Sequence, residues 1–292
     1  MSDPRASLLV ALADDELILG HRLSEWTGWV PYIEEDLALS SIAQDEIAHA
    51  RMLLDILSVI DGRDTDQLAL GRAPGEFRNA VLCELPNTDF AFTLARHWLY
   101  DHADDVRLRA LQKSSFKELR EAVAIFLLEE RYHLEHADAW FHRLAGGPVD
   151  ARHRFADALS ATIGEAVALF ESIDDEPALV SDGVMPRSSE DLLGEWLGRI
   201  GEQLDEEGFD QVLSARGEPS TGEMVPTSTG EMEAQVLGSV LQPPDVKRID
   251  GRWVHTDSFR GSGGRRGNHS EYFEPLWSEM TALYRAHPGA KW

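Results

Sequence analysis

The chain has 292 residues and is 43% hydrophobic, so it can bury a substantial core and is not disordered throughout. Its formal net charge is -25. This charge argues against nucleic acid or an anionic membrane surface as the main partner, because both would repel it. Its one cysteine, Cys83, excludes an internal disulfide and a thiolate metal site, so any metal must be bound by oxygen and nitrogen atoms.

The N-terminal stretch MSDPRASLLVALADDE has neither the basic flank nor the cleavage site of a signal peptide. No apolar run in the sequence approaches the ~20 residues that a membrane span needs. We therefore expect a cytoplasmic protein. The 52 acidic residues and scarce lysines fit either adaptation to high salt or an ordinary acidic cytosolic protein.

Four long helices are predicted in the first half of the chain, and almost nothing there favours strands. Asp61-Gly62 ends the second helix, and Gly146-Gly147-Pro148 ends the fourth. A polar connection separates the second helix from the third, which begins at the cap-like cluster Pro86-Asn87-Thr88. The predicted ranges are about 4–26, 32–60, 88–112 and 115–146.

The second half is predicted to be less regular. Two helices are expected near 149–172 and 188–208. Residues 217–244 are rich in Gly, Ser, Thr and Pro and repeat STGEM, which indicates an exposed loop. IDGRWVHTDSF contains a DG turn and predicts a small hairpin, followed by a loop and a terminal helix. We therefore expect a helical bundle with two extra helices over 1–210 and a loop-rich extension ending in a helix over 211–292.

The second and fourth predicted helices share an unusual design. Each has an apolar seam of alternating three- and four-residue spacing, with Glu and His three residues apart in its middle. The pairs are Glu46 with His49, and Glu130 with His133. A single Glu-x-x-His pair is weak evidence in a chain this rich in glutamate, but two on matched seams are much harder to assign to chance.

A carboxylate precedes each of these pairs at nearly equal distance. Glu16 lies among leucines on the first helix, 30 residues before Glu46, and Asp101 lies on the third helix, 29 residues before Glu130. Asp101 is the weaker assignment, since other acidic residues and His97 lie within one turn. Buried carboxylates that converge need cations, and this arrangement is typical of a dinuclear metal site in a four-helix bundle. The predicted ligands, which suit iron or manganese, are Glu16, Glu46, His49, Asp101, Glu130 and His133.

Other candidates stay open at this stage. Tyr100 and Tyr132 adjoin predicted ligands and either bond to them or simply pack. The stretch RGSGGRR, residues 260–266, either contacts coenzyme phosphates or is a flexible loop. Phosphate-binding loops, dinucleotide fingerprints and nucleophile triads are not found in the sequence.

Several phrases of the sequence resemble a known family almost from end to end. They are LADDELILGHRLSEW, EEDLALSSIAQDEIAHAR, FRNAVLCELPNTDFAFTLARHWLYD, EERYHLEHADAW, RRGNHSEY and AHPGAKW. Together they resemble the C subunit of the multicomponent phenylacetyl-CoA epoxidase. The resemblance implies an all-α, ferritin-like four-helix bundle with additional helices and an irregular C-terminal region.

The same resemblance implies a role in phenylacetate breakdown. Such a subunit pairs with a catalytic A subunit, and the complex uses iron, dioxygen and electrons from a reductase to epoxidise the ring of an acyl-CoA, phenylacetyl-CoA. In that family the A subunit usually carries the working di-iron site, and the C subunit is a structural partner with decayed ligand positions. This sequence departs from that pattern because its ligand set is complete.

Two hypotheses therefore remain: an oxygenase subunit that binds two iron ions, with manganese as an alternative, and a scaffold for the A subunit. We also expect a homodimer and a heteromeric complex with the A-type subunit. Aromatic interface anchors are predicted among the eight tryptophans, including Trp26, Trp29, Trp98 and Trp277.

Overall fold

The computed structural model describes residues 3–209, 212, 246–250, 252–255 and 262–290. Within these residues the chain is all-α and ferritin-like, as predicted, with one short hairpin of strands β1 (Val246–Ile249) and β2 (Arg252–His255). None of the described helices is long and apolar enough to cross a membrane. The α-helices are α1 (Pro4–Ser24), α2 (Ile33–Asp61), α3 (Thr65–Leu70), α4 (Val81–Glu84), α5 (Phe90–Leu111), α6 (Lys117–Ala145), α7 (Val149–Val167), α8 (Glu176–Ser181), α9 (Ser189–Glu206) and α10 (Phe273–Ala286).

Helices α1, α2, α5 and α6 form the four-helix bundle. Helix α1 packs along α2, α5 along α6, and α2 against α6, while α7 and α9 cover α5. The two predicted seams face inward, and their central residues are buried. Gly20 allows α1 to approach α2 closely, because a Cβ atom there would lie 2.8 Å from Ile47 Cγ1 and 3.1 Å from Glu46 Cβ. This close approach brings Glu16, one turn earlier, towards the middle of α2.

The predicted polar connection between the second and third helices is wrong. The segment contains α3, a 3-10 turn over Pro74–Glu76 and α4. It also buries Leu68, Phe77 and Cys83 in the core. The N-cap of α5 is Asp89, whose carboxylate accepts a hydrogen bond from Phe92 N at 2.8 Å. The short helices α3, α4 and α8 were not predicted, because four to six residues are too few to reveal a helical period in the sequence.

The four tryptophans predicted as interface anchors differ in how deeply their side chains are buried. Trp98 is fully buried and stacks on Phe141 with ring centroids 4.3 Å apart, so it belongs to the core. Trp26 and Trp277 are partly buried against the core. Among these four, Trp29 is the residue with a largely exposed side chain.

The predicted hairpin is confirmed, with Ile249 paired to Arg252 across the turn at Asp250. The STGEM repeat lies outside the described residues, and the division of the chain at residue 210 stays a prediction.

The C-terminal loop that precedes α10 is built into the bundle at Arg265, whereas Arg266, the other arginine in the described part of RGSGGRR, is partly exposed. Arg265 is 3% exposed and donates to both carboxylate oxygens of Asp15, at 2.8 and 2.7 Å. Arg107 donates to the same carboxylate at 2.7 Å. The Arg265 guanidinium is therefore a buried structural cation beside α1, and it is not available to a phosphate group.

Trp253 docks the hairpin onto α9 at Gly201, where an added Cβ atom would lie 2.0 Å from the indole Cδ1. Gly201→Ala should therefore lower the free energy of unfolding by about 1–3 kcal/mol through overpacking. Gly194→Ala, on the same helix with nothing within 4 Å, should instead raise it by about 0.5–1 kcal/mol because alanine has the higher helix propensity. Urea unfolding of both variants tests this docking, and equal effects would contradict it.

Candidate metal centre

Four of the predicted ligands meet in the middle of the bundle. Glu16 from α1, Glu46 and His49 from α2, and Glu130 from α6 are all buried. One ligand atom from each of them lies within 4.8 Å of all the others. Side chains from three helices thus converge on one small volume, with three carboxylates and an imidazole as possible donors.

His133 adjoins this group. Glu130 Oε1 lies between the two imidazoles, 3.2 Å from His133 Nδ1 and 3.4 Å from His49 Nδ1. His133 Nδ1 is also 3.7 Å from Glu46 Oε1. Both rings therefore direct Nδ1 towards the Glu130 carboxylate, so His133 extends the cluster along α6.

Asp101 reaches the region from α5 but is not one of the four most tightly grouped residues. Its Oδ1 lies 3.2 Å from His97 Nδ1, one turn back on the same helix. Nε2 of His97 lies 3.3 Å from Nδ1 of His136, and Nε2 of His136 lies 2.9 Å from Glu35 Oε2. His97 was visible in the sequence only as a neighbour of Asp101, whereas the structure shows a file of polar side chains beside the centre.

Two acidic residues that were not predicted as part of the site hold the outer nitrogen of each imidazole. His49 Nε2 lies 2.7 Å from Glu129 Oε2, and His133 Nε2 lies 3.3 Å from Asp45 Oδ2. Asp45 precedes Glu46 on α2 and contacts the histidine of α6, whereas Glu129 precedes Glu130 on α6 and contacts the histidine of α2. The two pairings are therefore reciprocal between the helices. A signal was present, because DEIAH and EERYH both place an acid before the Glu-x-x-His pair.

Such pairings matter because a hydrogen bond at one imidazole nitrogen fixes the ring orientation and the tautomer, leaving the other nitrogen to bind a metal. Tyr100 adds a comparable contact, since its hydroxyl donates to Glu16 Oε1 at 3.2 Å. Tyr132 is half exposed and does not share this role.

The polar atoms of the cluster show that a metal fits it. Buried polar groups are normally hydrogen-bonded, yet each of the six predicted ligands has a buried side-chain atom without a hydrogen-bond partner among the described residues. Oxygen and imidazole donors suit iron or manganese. The unpartnered atoms are Glu16 Oε2, both carboxylate oxygens of Glu46, Asp101 and Glu130, and Nδ1 of His49 and His133.

Without a metal, the cluster balances its charge with protons. Burial raises the pKa of Glu46 well above its usual range, and the neighbouring Glu16 raises it further. Burial also raises the pKa of Glu130, but His133 and His49 outweigh it and lower that pKa to about 2. Burial lowers the pKa of both histidines, but the adjoining carboxylates raise it to about 11 for His49 and about 10 for His133. The two imidazoles therefore favour the ionised form of Glu130, whereas burial and the neighbouring Glu16 favour the protonated form of Glu46.

Comparison with known proteins identifies the family of the chain. The family described as "Phenylacetic acid catabolic protein" matches residues 2–217. The chain is also 28% identical over 284 residues to the C subunit of the 1,2-phenylacetyl-CoA epoxidase of Escherichia coli (strain K12), an alignment that covers 96% of each protein. The family match spans well over half of the chain. The chain therefore belongs to the phenylacetic acid catabolic protein family.

Proposed function

We propose that this protein is a subunit of a multicomponent phenylacetyl-CoA ring epoxidase and retains a carboxylate-bridged dinuclear metal site. The observation that carries the metal site is the convergence of Glu16, Glu46, His49 and Glu130 within 4.8 Å in a buried position. The end-to-end similarity to a subunit of that enzyme supports the reaction and the pathway.

In this proposal, the donor atoms of Glu16, Glu46, His49 and Glu130 bind the metal, and His133 and Asp101 complete the set. Two iron ions bound there would supply the redox chemistry with dioxygen that ring epoxidation needs, and manganese suits the same donors. Glu129 and Asp45 orient the two imidazoles, and Tyr100 holds one oxygen of Glu16. The apolar seam residues around the ligands exclude water from the centre.

The second candidate function is a structural subunit that supports a catalytic A-type subunit. The observation that favours it is the metal-free geometry, in which Glu130 Oε1 lies within 3.4 Å of Nδ1 of both His49 and His133. In that role, the contacts between Glu130 and the two imidazoles would hold α2 and α6 together without a metal.

Reconstitution distinguishes the two candidates. The chain is combined with the A-type subunit and the reductase of the same organism, and epoxide formed from phenylacetyl-CoA is measured for wild type and for the His49→Ala, His133→Ala variant. Loss of epoxide with the complex intact supports chemistry at this chain's site. Equal rates assign the chemistry to the partner and favour the structural subunit. If omitting the chain abolishes epoxide formation, both roles remain supported. If epoxide forms equally well without the chain, both roles are contradicted.

A further inference from the structure

His97 on α5 is a buried histidine that the proposed ligand set leaves out. Its Nδ1 atom is buried and has no hydrogen-bond partner among the described residues. This atom lies 3.2 Å from Oδ1 of Asp101, one turn further along α5, and both oxygens of that carboxylate are equally unpartnered. Burial lowers the pKa of His97 most, and the charges of His133 and Glu130 also act on that pKa, so the ring lies near these two predicted ligands.

The tautomer of His97 follows from the side chains at its outer nitrogen. Glu35 Oε2 lies 2.9 Å from Nε2 of His136, and a carboxylate accepts hydrogen bonds, so the proton of His136 is on Nε2. Its Nδ1 is then an acceptor, 3.3 Å from Nε2 of His97. Burial lowers the pKa of His136 and lowers that of His97 to about 3, which favours neutral rings. His97 therefore carries its proton on Nε2, and the lone pair of Nδ1 is directed towards Asp101.

The contact between His97 and Asp101 thus brings two electron-pair donors within 3.2 Å of each other. Such atoms repel each other unless a positive centre lies beside both. In the metal-free protein a proton serves, because burial raises the pKa of Asp101 well above its usual range. A metal ion can take the place of that proton, because two donors of one ion, each bonded at about 2.1 Å, lie roughly 3 Å apart.

His97 repeats the arrangement of the two histidines in the proposed ligand set. In all three rings Nδ1 is buried and unpartnered among the described residues. An outer contact at Nε2 fixes the orientation of a ring and leaves the inner nitrogen to bind a metal. The residues that contact Nε2 lie on another helix in each case and are Glu129 for His49, Asp45 for His133 and His136 for His97.

We propose that His97 is a further ligand of the dinuclear centre, which binds through Nδ1 the same ion as Asp101. This inference rests on the proposed function, because it adds a residue to the metal site of that function. His136 and Glu35 are positioning residues, since they act on the metal through His97. A third imidazole makes the donor set richer in nitrogen, which favours iron over manganese.

NMR of the cobalt-loaded chain counts the histidine ligands directly. Co²⁺ is a paramagnetic substitute for Fe²⁺, and it moves the N–H resonance of a coordinated imidazole far from the other signals. Because all three rings bind through Nδ1 and keep a proton on Nε2, the full-length wild-type chain should give three such resonances, which vanish in D2O. His97→Phe should remove one of them and weaken binding of the second Co²⁺ by about tenfold or more.

His102→Phe is the matched control for this substitution. His102 is also a buried histidine on α5, but its Nε2 atom lies 2.9 Å from Oδ1 of Asp138, which is not a predicted ligand. We expect the control to keep all three shifted resonances and to change the affinity for Co²⁺ less than twofold. Circular dichroism verifies the fold of both variants.

The outcomes separate the role of His97 from the proposed function. Only two shifted resonances in cobalt-loaded wild type would overturn the role of His97 and leave the metal site standing. A third resonance that persists in His97→Phe would overturn that role as well. Wild-type chain that takes up no Co²⁺ would overturn the proposed metal site together with this inference. The wild-type count needs no variant, so it decides the question even if His97→Phe fails to fold.

Discussion

Glu130→Leu is expected to lower the free energy of unfolding of the metal-free protein by about 3 kcal/mol, because it leaves two buried imidazolium rings without their shared carboxylate. Nδ1 of both rings lies within 3.4 Å of Glu130 Oε1, and these imidazoles lower the pKa of Glu130 to about 2, which favours the ionised carboxylate. Removing Glu130 therefore breaks its buried charge pairs with both His49 and His133.

Glu46→Leu is the matched control, and its expected effect has the opposite sign. Both oxygens of Glu46 are buried without a hydrogen-bond partner among the described residues, and burial raises the pKa of its carboxyl group, which favours the protonated form. Replacing such a group with an apolar side chain of similar size should raise the free energy of unfolding by about 1 kcal/mol.

Urea unfolding in the presence of a chelator measures both variants under the same conditions. The predicted difference between them is about 4 kcal/mol, which is the sum of the two opposite changes. Equal destabilisation by the two substitutions would contradict the assignment of charge within the cluster. Metal-loaded protein should respond differently, since both glutamates are then ligands and either substitution weakens the metal site.

Asp45→Asn and Glu129→Gln are expected to weaken metal binding 10- to 100-fold each, which is typical for residues that orient a ligating histidine. Glu129 Oε2 holds His49 Nε2 at 2.7 Å, and Asp45 Oδ2 holds His133 Nε2 at 3.3 Å. A neutral amide of the same shape removes the charge that favours an N–H at the outer nitrogen and therefore loosens the ring.

Competition with a fluorescent chelator measures this affinity. Glu135→Gln is a suitable control because Glu135 is an exposed acid on α6 whose ion-pair partner is Arg131 rather than an imidazole. We expect its metal affinity to match that of wild type. An unchanged affinity in both Asp45→Asn and Glu129→Gln would show that the imidazoles do not bind the metal through Nδ1.

The inward face of the bundle was predictable because long helices carry a strong periodic signal. Glu46 with His49 and Glu130 with His133 interrupt otherwise apolar seams, so their burial and convergence followed from spacing alone. The hairpin was predictable because its DG dipeptide favours a tight turn. Asp89 was missed as a helix cap because the preceding proline, asparagine and threonine offered an equally good start.

Other features depend on contacts between distant segments and leave no local signal. Nothing near Arg265 in the sequence indicates that it crosses the fold to pair with Asp15. The contrast between Glu46 and Glu130 is of the same kind, since it arises from which imidazoles each carboxylate meets after folding. Asp45 and Glu129 differ from these cases, because the repeated acid before each Glu-x-x-His pair was visible in the sequence.

Elemental analysis of the purified chain, produced with iron supplementation and without any partner subunit, tests the metal site most directly. The proposal predicts two iron or manganese ions per chain in the wild type and a loss of both in the His49→Ala, His133→Ala variant. Metal at background level in folded wild-type protein would contradict the dinuclear site and leave the structural subunit as the function of this chain.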